Sequence, residues 1–171
     1  MKEISLSNSE VIYGSNVIGA AMVSEACKPL LSKSEGPYLI HIASMMDSTS
    51  QYVNMDRADY KSYRMSKAAL LMPALGDFRE AKAQGSRIKV FAACPGYVVS
   101  NLRGTSELQR SGWGHAGDPE ESGRMILDVI EGRRDADDGK FVHKGGVYPL
   151  VVTDSDMKRK CLFDTFIPSM C

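Results

Sequence analysis

Two kinds of apolar spacing alternate along the chain. From Glu10 to about Ser32, Val11, Val17, Ile18, Met22, Ala26 and Leu30 recur at helical spacing and predict a first helix. Tyr38 to Ala43 is a near-continuous apolar run, which suits a parallel strand covered on both faces, with His41 as its polar exception. A second helix is predicted from Tyr63 to Ala83, with Ala68, Leu71, Leu75 and Phe78 on one face. Ile88 to Cys94 reads as a second strand, stopped by Pro95-Gly96. Asp118 as N-cap, Pro119 in the first turn and Glu121 as capping-box partner start a third helix. That helix turns Met125, Ile126, Val129 and Ile130 inward and stops near Gly132. Lys140 to Val142 begins a last strand that ends at Tyr148-Pro149. Pro29 and Pro73 fall inside predicted helices, where a proline costs about 3 kcal/mol and kinks the axis.

The remaining segments lack a period. Residues 1–9 are polar and read as a disordered or frayed start, residues 10–150 as the folded unit, and residues 151–171 as an unassigned tail. Met45 to Ser62 is a polar loop, carrying Asp47, Asp56, Arg57 and Asp59, at the carboxyl end of the first strand. Open α/β sheets place their ligands at that end, so the loop is expected to shape a pocket.

Composition narrows the class. The chain has 171 residues, 43% hydrophobic and 25% charged, as expected of one globular domain. Lysine plus arginine equals aspartate plus glutamate at 21 each, so the net charge of zero points to neither a nucleic-acid nor a membrane surface. No long apolar run or charged-then-apolar leader is read, and the expected compartment is cytoplasmic. Cys27, Cys94, Cys161 and Cys171 lack paired metal spacing and read as free thiols, with no metal site.

The candidate chemistry lies in Tyr63-Arg64-Met65-Ser66-Lys67. Four residues is about one helical turn, so the phenol and the ammonium leave one face together. A phenol has an ordinary pKa of about 10, and an adjacent cation lowers it by roughly 1–3 units. Such a pair suits a general acid for a carbonyl oxygen, or a general base for an alcohol. By itself the spacing also fits two exposed side chains. The context is a strand ending in Ser44 (YLIHIAS), the Tyr/Lys helix, and a strand ending in Pro95-Gly96. With the blocks YRMSKAA, CPGYVVSNL and GKFVHKGGVYP, this resembles the C-terminal half of a short-chain dehydrogenase/reductase of the carbonyl-reductase branch.

The resemblance implies a partial Rossmann-like α/β fold of about three parallel strands with flanking helices, lacking the first βαβ units. It assigns Ser44 to polarise a carbonyl and Tyr63 to donate the proton. Lys67 lowers the phenol's pKa and holds the nicotinamide ribose, and Asn16 completes the proton relay through its backbone. Pro95, Gly96, Val98 and Ser100 would line the nicotinamide, Ser100 standing where a threonine is usual. Leu102 to Ser111 resembles a substrate lid in which Arg103 meets a phosphate or solvent. NADP or NAD is the implied cofactor, and its binding is expected to be weak because the glycine-rich turn and the Asn-Asn-Ala-Gly strand end do not appear. Helices 10–32 and 63–83 form the family's usual oligomer interface, and the partner implied is a small carbonyl or alcohol. The competing reading is an inactive remnant or an oligomerising subunit. Gly112-Trp113-Gly114-His115-Ala116-Gly117 matches Gly-x-Gly-x-x-Gly literally, but no strand precedes it and the helix begins after it, so it is rejected as a dinucleotide fingerprint.

Overall fold

The computed structural model describes residues 6–47 and 60–148, with side chains from 8–46 and 60–148. Its helices and strands alternate as α1 (Leu6–Tyr13), a π turn (Gly14–Gly19), α2 (Ala20–Leu31), β1 (Tyr38–Ile42), α3 (Lys61–Ala83), β2 (Lys89–Ala93), α4 (Glu107–Arg110), α5 (Pro119–Ile130), β3 (Phe141–His143) and β4 (Gly146–Tyr148). The expectations for the 48–59 part of the loop and for the 151–171 tail lie outside the described residues.

The fold is α/β, built on one sheet in the order β1-β2-β3-β4. β1 and β2 pair in parallel from Tyr38–Lys89 to Ile42–Ala93, and β2 pairs in parallel with β3 through Ala92–Phe141 and Ala93–Val142. The last predicted strand divides into two, because a tight turn at Lys144-Gly145 reverses the chain and β4 returns antiparallel on β3. Successive residues of β2 serve opposite faces, as a strand requires. On one face Ala92 joins Ala43, Ala74, Cys94 and Phe141, which brings α3 onto the sheet. On the other, Phe91 and Ala93 meet Met125, Val129 and Val142, which seats α5. Val90, Ile88 and Ala81 close the base of the sheet with Leu31, Leu39 and Phe78 around them. Parallel strands covered on both faces explain why these sequences read as continuous apolar runs.

Several faces differ from the periodicity. The apolar stripe of the first helix points outward: Val11, Ile18, Met22 and Leu30 are all at least 59% exposed. Its inner side is instead made by the buried Ser24, which donates to Asp77 of α3. α3 likewise turns Ser66, Lys67, Leu70, Ala74, Asp77 and Ala81 inward, rather than a stripe of Ala68, Leu71, Leu75 and Phe78, which are only half-buried. That inner line mixes polar and apolar residues, so a hydrophobicity pattern misses it. Both α2 and α3 run through their internal prolines, Pro29 and Pro73.

α5 starts as predicted, with Asp118 Oδ1 accepting from the Glu120 amide at 2.8 Å. Glu121 is not its capping-box partner; it forms an ion pair with Lys144 in the β3–β4 turn. The capping box occurs instead at Ser106 and Gln109 of α4. Met125 and Val129 are buried, whereas Ile130 is exposed at the helix end.

Candidate active site

β1 delivers Ser44 one residue beyond the buried Ala43, at the carboxyl end of the sheet. The Ser44 hydroxyl accepts from the Met46 amide at 3.2 Å, which tightens the turn after the strand. Three contacts hold that turn. The Met45 amide donates to Cys94 Sγ, the Tyr148 hydroxyl approaches the Met45 sulfur, and Arg64 Nη1 donates to the Met46 carbonyl at 3.2 Å. The last contact ties the first turn of α3, which carries Tyr63, to the turn that carries Ser44.

Tyr63 and Lys67 share one face of α3, and Lys67 Nζ lies 5.8 Å from the centre of the Tyr63 ring. Lys67 is buried, and its ammonium donates to the Ile42 carbonyl at 2.7 Å. The strand pairing explains why this carbonyl is open to it. Pro37 and Ala43 direct their backbone groups to β2, so by the alternation of a parallel ladder Ile42 directs its own away from β2. The same ammonium is thus fixed at the end of β1 and one turn from the phenol.

Asn16 sits inside the π turn between α1 and α2. Its Nδ2 donates to the hydroxyl of Ser66 at 3.0 Å, and Ser66 in turn donates to the Tyr63 carbonyl at 2.7 Å. Ser66 is fully buried. Nothing in the sequence marks it out, since a serine inside a helix is ordinary; its only signal is its place between Tyr63 and Lys67.

After β2 the chain turns through Pro95 and Gly96 into a stitched loop. Gly96 has φ of 83°, and a Cβ there would meet nothing within 4 Å, so its surface side is open. Val98 pairs with Gly117 as a parallel bridge, and Ser100 caps the short helical turn at Asn101–Arg103 by accepting from the Leu102 amide. Arg103 is half-buried. It donates to the carbonyls of Val98 and Arg110 at 2.8 Å each and to Gln109 at 3.1 Å, with its guanidinium 4.3 Å from the Tyr97 ring centre. A side chain chosen for charge in the sequence thus serves as the loop's internal clasp. Gly112, Trp113 and Gly114 all have positive φ and form a turn within this loop, not the approach to a phosphate-binding helix.

A second polar cluster lies below the site. His41 is buried and its Nε2 is 2.8 Å from Asp77 Oδ2, which also accepts from Ser24 at 2.5 Å; Lys28 Nζ is 2.9 Å from Asp77 Oδ1. Burial alone would push the Asp77 carboxyl up, but hydrogen bonds from Ser24, Lys28 and His41 outweigh it and hold the carboxyl below its usual range. The cluster contains the residue types of a hydrolase triad in the wrong order, because the serine bonds the aspartate and not the histidine. Asp77 also approaches Glu25 and Glu80, as acidic ligands of a metal would, but the Lys28 ammonium pairs with all three carboxylates and fills the space between them.

Comparison with known proteins finds relatives of the chain as a whole. No family model matches the chain. A short-chain dehydrogenase/reductase of Talaromyces stipitatus, tropE, is 31% identical over 149 residues, covering 78% of this chain. The similarity is to the short-chain dehydrogenase/reductases. The chain spans about half the length of the relatives it matches, 55% in the case of tropE. Among solved structures of that family, the NADPH-bound carbonyl reductase from chicken fatty liver superposes with a TM-score of 0.66 at 28% identity, over 83% of this chain and 56% of that one. The carbonyl reductase Sniffer of Drosophila melanogaster shares the fold at a TM-score of 0.63 and 22% identity, over 89% of this chain and 60% of its own.

Proposed function

We propose that this chain carries the proton-transfer half of a short-chain dehydrogenase/reductase that interconverts a carbonyl and an alcohol. The observation that carries the reading is Lys67, whose buried ammonium is held by the Ile42 carbonyl beneath the Tyr63 ring. In the reductive direction Ser44 donates a hydrogen bond to the substrate carbonyl oxygen and Tyr63 passes its phenolic proton to that oxygen. The positive charge of Lys67 stabilises the phenolate that remains, and a solvent proton, relayed through a water at the Asn16 backbone and through Lys67, restores the phenol. Pro95, Gly96, Val98 and Ser100 would face a nicotinamide, and the open side of Gly96 is consistent with a flat ring against the backbone. The Val98 carbonyl is already bonded to Arg103, so a carboxamide there meets the Val98 amide more readily. NADPH, or NADH, would supply the hydride and leave as NADP or NAD; the ribose would fall to Tyr63 and Lys67. Binding by this chain alone is weak, because the groups described include no glycine-rich turn opening a helix to receive the pyrophosphate.

The second reading, an oligomerising subunit without turnover, is favoured by one feature. Val11, Ile18 and Met22 on the first helix, with Met65 and Met72 on α3, leave an exposed apolar face where the family associates. Among the described residues no helix is long and apolar enough to cross a membrane.

Titration of the chain with NADPH, followed by nicotinamide fluorescence and by reduction of small ketones and aldehydes, separates the two. Saturable binding with turnover that falls by about 10²–10⁴ in Tyr63→Phe supports the reductase. Absence of saturable binding up to millimolar NADPH sinks it in favour of the subunit.

A further inference from the structure

The π turn of the first helix is pinned to the Tyr63/Lys67 turn through one buried hydroxyl. Gly14–Gly19 winds too wide for an α-helix, and a Cβ on Gly19 would come within 3.0 Å of the Gly14 carbonyl, so a glycine suits that end of the turn. A π turn accommodates one extra residue, and losing it would rotate the preceding helix by about 100° against its neighbours. Something outside the helix must therefore select it. Asn16 Nδ2 donates to Ser66 Oγ at 3.0 Å, and Ser66 Oγ donates to the Tyr63 carbonyl at 2.7 Å. That carbonyl is the one the helical ladder offers to the Lys67 amide, so the hydroxyl sits on the peptide geometry that joins the two residues. Ser66 is 0% exposed, so both bonds are made inside the protein.

We infer that Ser66 is a positioning residue that locks the π turn around Asn16 in register with Tyr63 and Lys67. An alanine would fill the helix contact as well as a serine does; what it cannot do is hold the Asn16 amide and the Tyr63 carbonyl at once. This inference rests on the reductase reading for its catalytic meaning, while the lock itself does not.

The test uses the full 171-residue chain with tyrosine labelled at ¹³Cζ, the Tyr63 signal being assigned by Tyr63→Phe. Two quantities are read in wild type, Ser66→Ala, Asn16→Ala and the double variant: amide hydrogen exchange over residues 14–20, and the pH titration of Tyr63. Exchange in either single variant should quicken at least tenfold. The Tyr63 titration should move up by about 0.5–1 unit, a fraction of the 1–3 units that a neighbouring cation contributes. The double variant should go no further than either single one, since both remove one link. Unchanged exchange in Ser66→Ala overturns the lock, additive effects overturn the shared link, and faster exchange with an unmoved Tyr63 titration reduces Ser66 to packing and overturns its positioning role. A wild-type Tyr63 that titrates at the ordinary phenol value overturns the reductase reading, and the exchange measurement still decides the lock.

Discussion

Replacing Asp77 by alanine should be among the most damaging single changes to this fold. The carboxylate is buried and accepts from Ser24 at 2.5 Å and His41 at 2.8 Å on one oxygen, and from Lys28 at 2.9 Å on the other. Lys28 keeps Glu25 and Glu80 when Asp77 is lost, but Ser24 and His41 are 2% and 5% exposed and lose this partner. Two buried polar groups left unpaired cost about 1–3 kcal/mol each, and the lost side-chain volume adds to that. The total agrees with the roughly 3–5 kcal/mol typical of breaking a buried ion pair from one side. For a chain of this size that lowers Tm by roughly 6–20 °C. Asp77→Asn should cost less, about 1–2 kcal/mol, because Ser24 and His41 can each accept from the amide while its oxygen still faces Lys28.

The pH dependence gives an independent check. The Asp77 carboxyl lies below its usual range in the folded chain. Its contribution is therefore fully present above the unfolded value of about 3.9 and is lost as pH falls through the folded value. Urea unfolding followed by circular dichroism, at pH 7 and at steps down to pH 3, measures both quantities. A gap between wild type and Asp77→Ala below 1 kcal/mol at pH 7, or one that does not narrow below pH 4, would refute the reasoning.

Two further effects follow from local geometry. Gly139 has φ of +82°, and a Cβ there would lie 2.5 Å from the Phe78 ring, so Gly139→Ala should cost about 1–3 kcal/mol in the same unfolding assay; a neutral result would mean that the ring moves aside freely and the backbone carries no strain. His143 Nδ1 accepts from the Gly145 amide at 3.1 Å, and burial, with the Arg134 charge beside it, holds its pKa below the ordinary 6.5. Neutral imidazole is thus favoured by folding, the unfolded chain binds the extra proton first, and stability should fall as pH drops from about 6.5 toward 5. His143→Gln should flatten that slope, as read from Tm across the same interval.

What could be read in the chain was whatever its own short-range spacing contains. The runs Tyr38–Ala43 and Ile88–Cys94 were legible as buried parallel strands, Asp118-Pro119 marked a helix start, and Tyr63 and Lys67 had to share a face wherever the helix went. Recognition of Ser44 beside them came from the order strand, Tyr/Lys helix, strand, which matches a family and is not a local rule. Tertiary packing decided which face of each helix is covered. The stripe from Val11 to Leu30 has the spacing of a core face, yet Ser24, bonded to Asp77, is the residue that faces inward. Periodicity specifies which side chains point together, while the partner on the far side of the contact determines whether they meet protein or water. For the same reason Ser66, His41 and Arg103 acquired their roles only from partners that lie distant in sequence or across a folded loop.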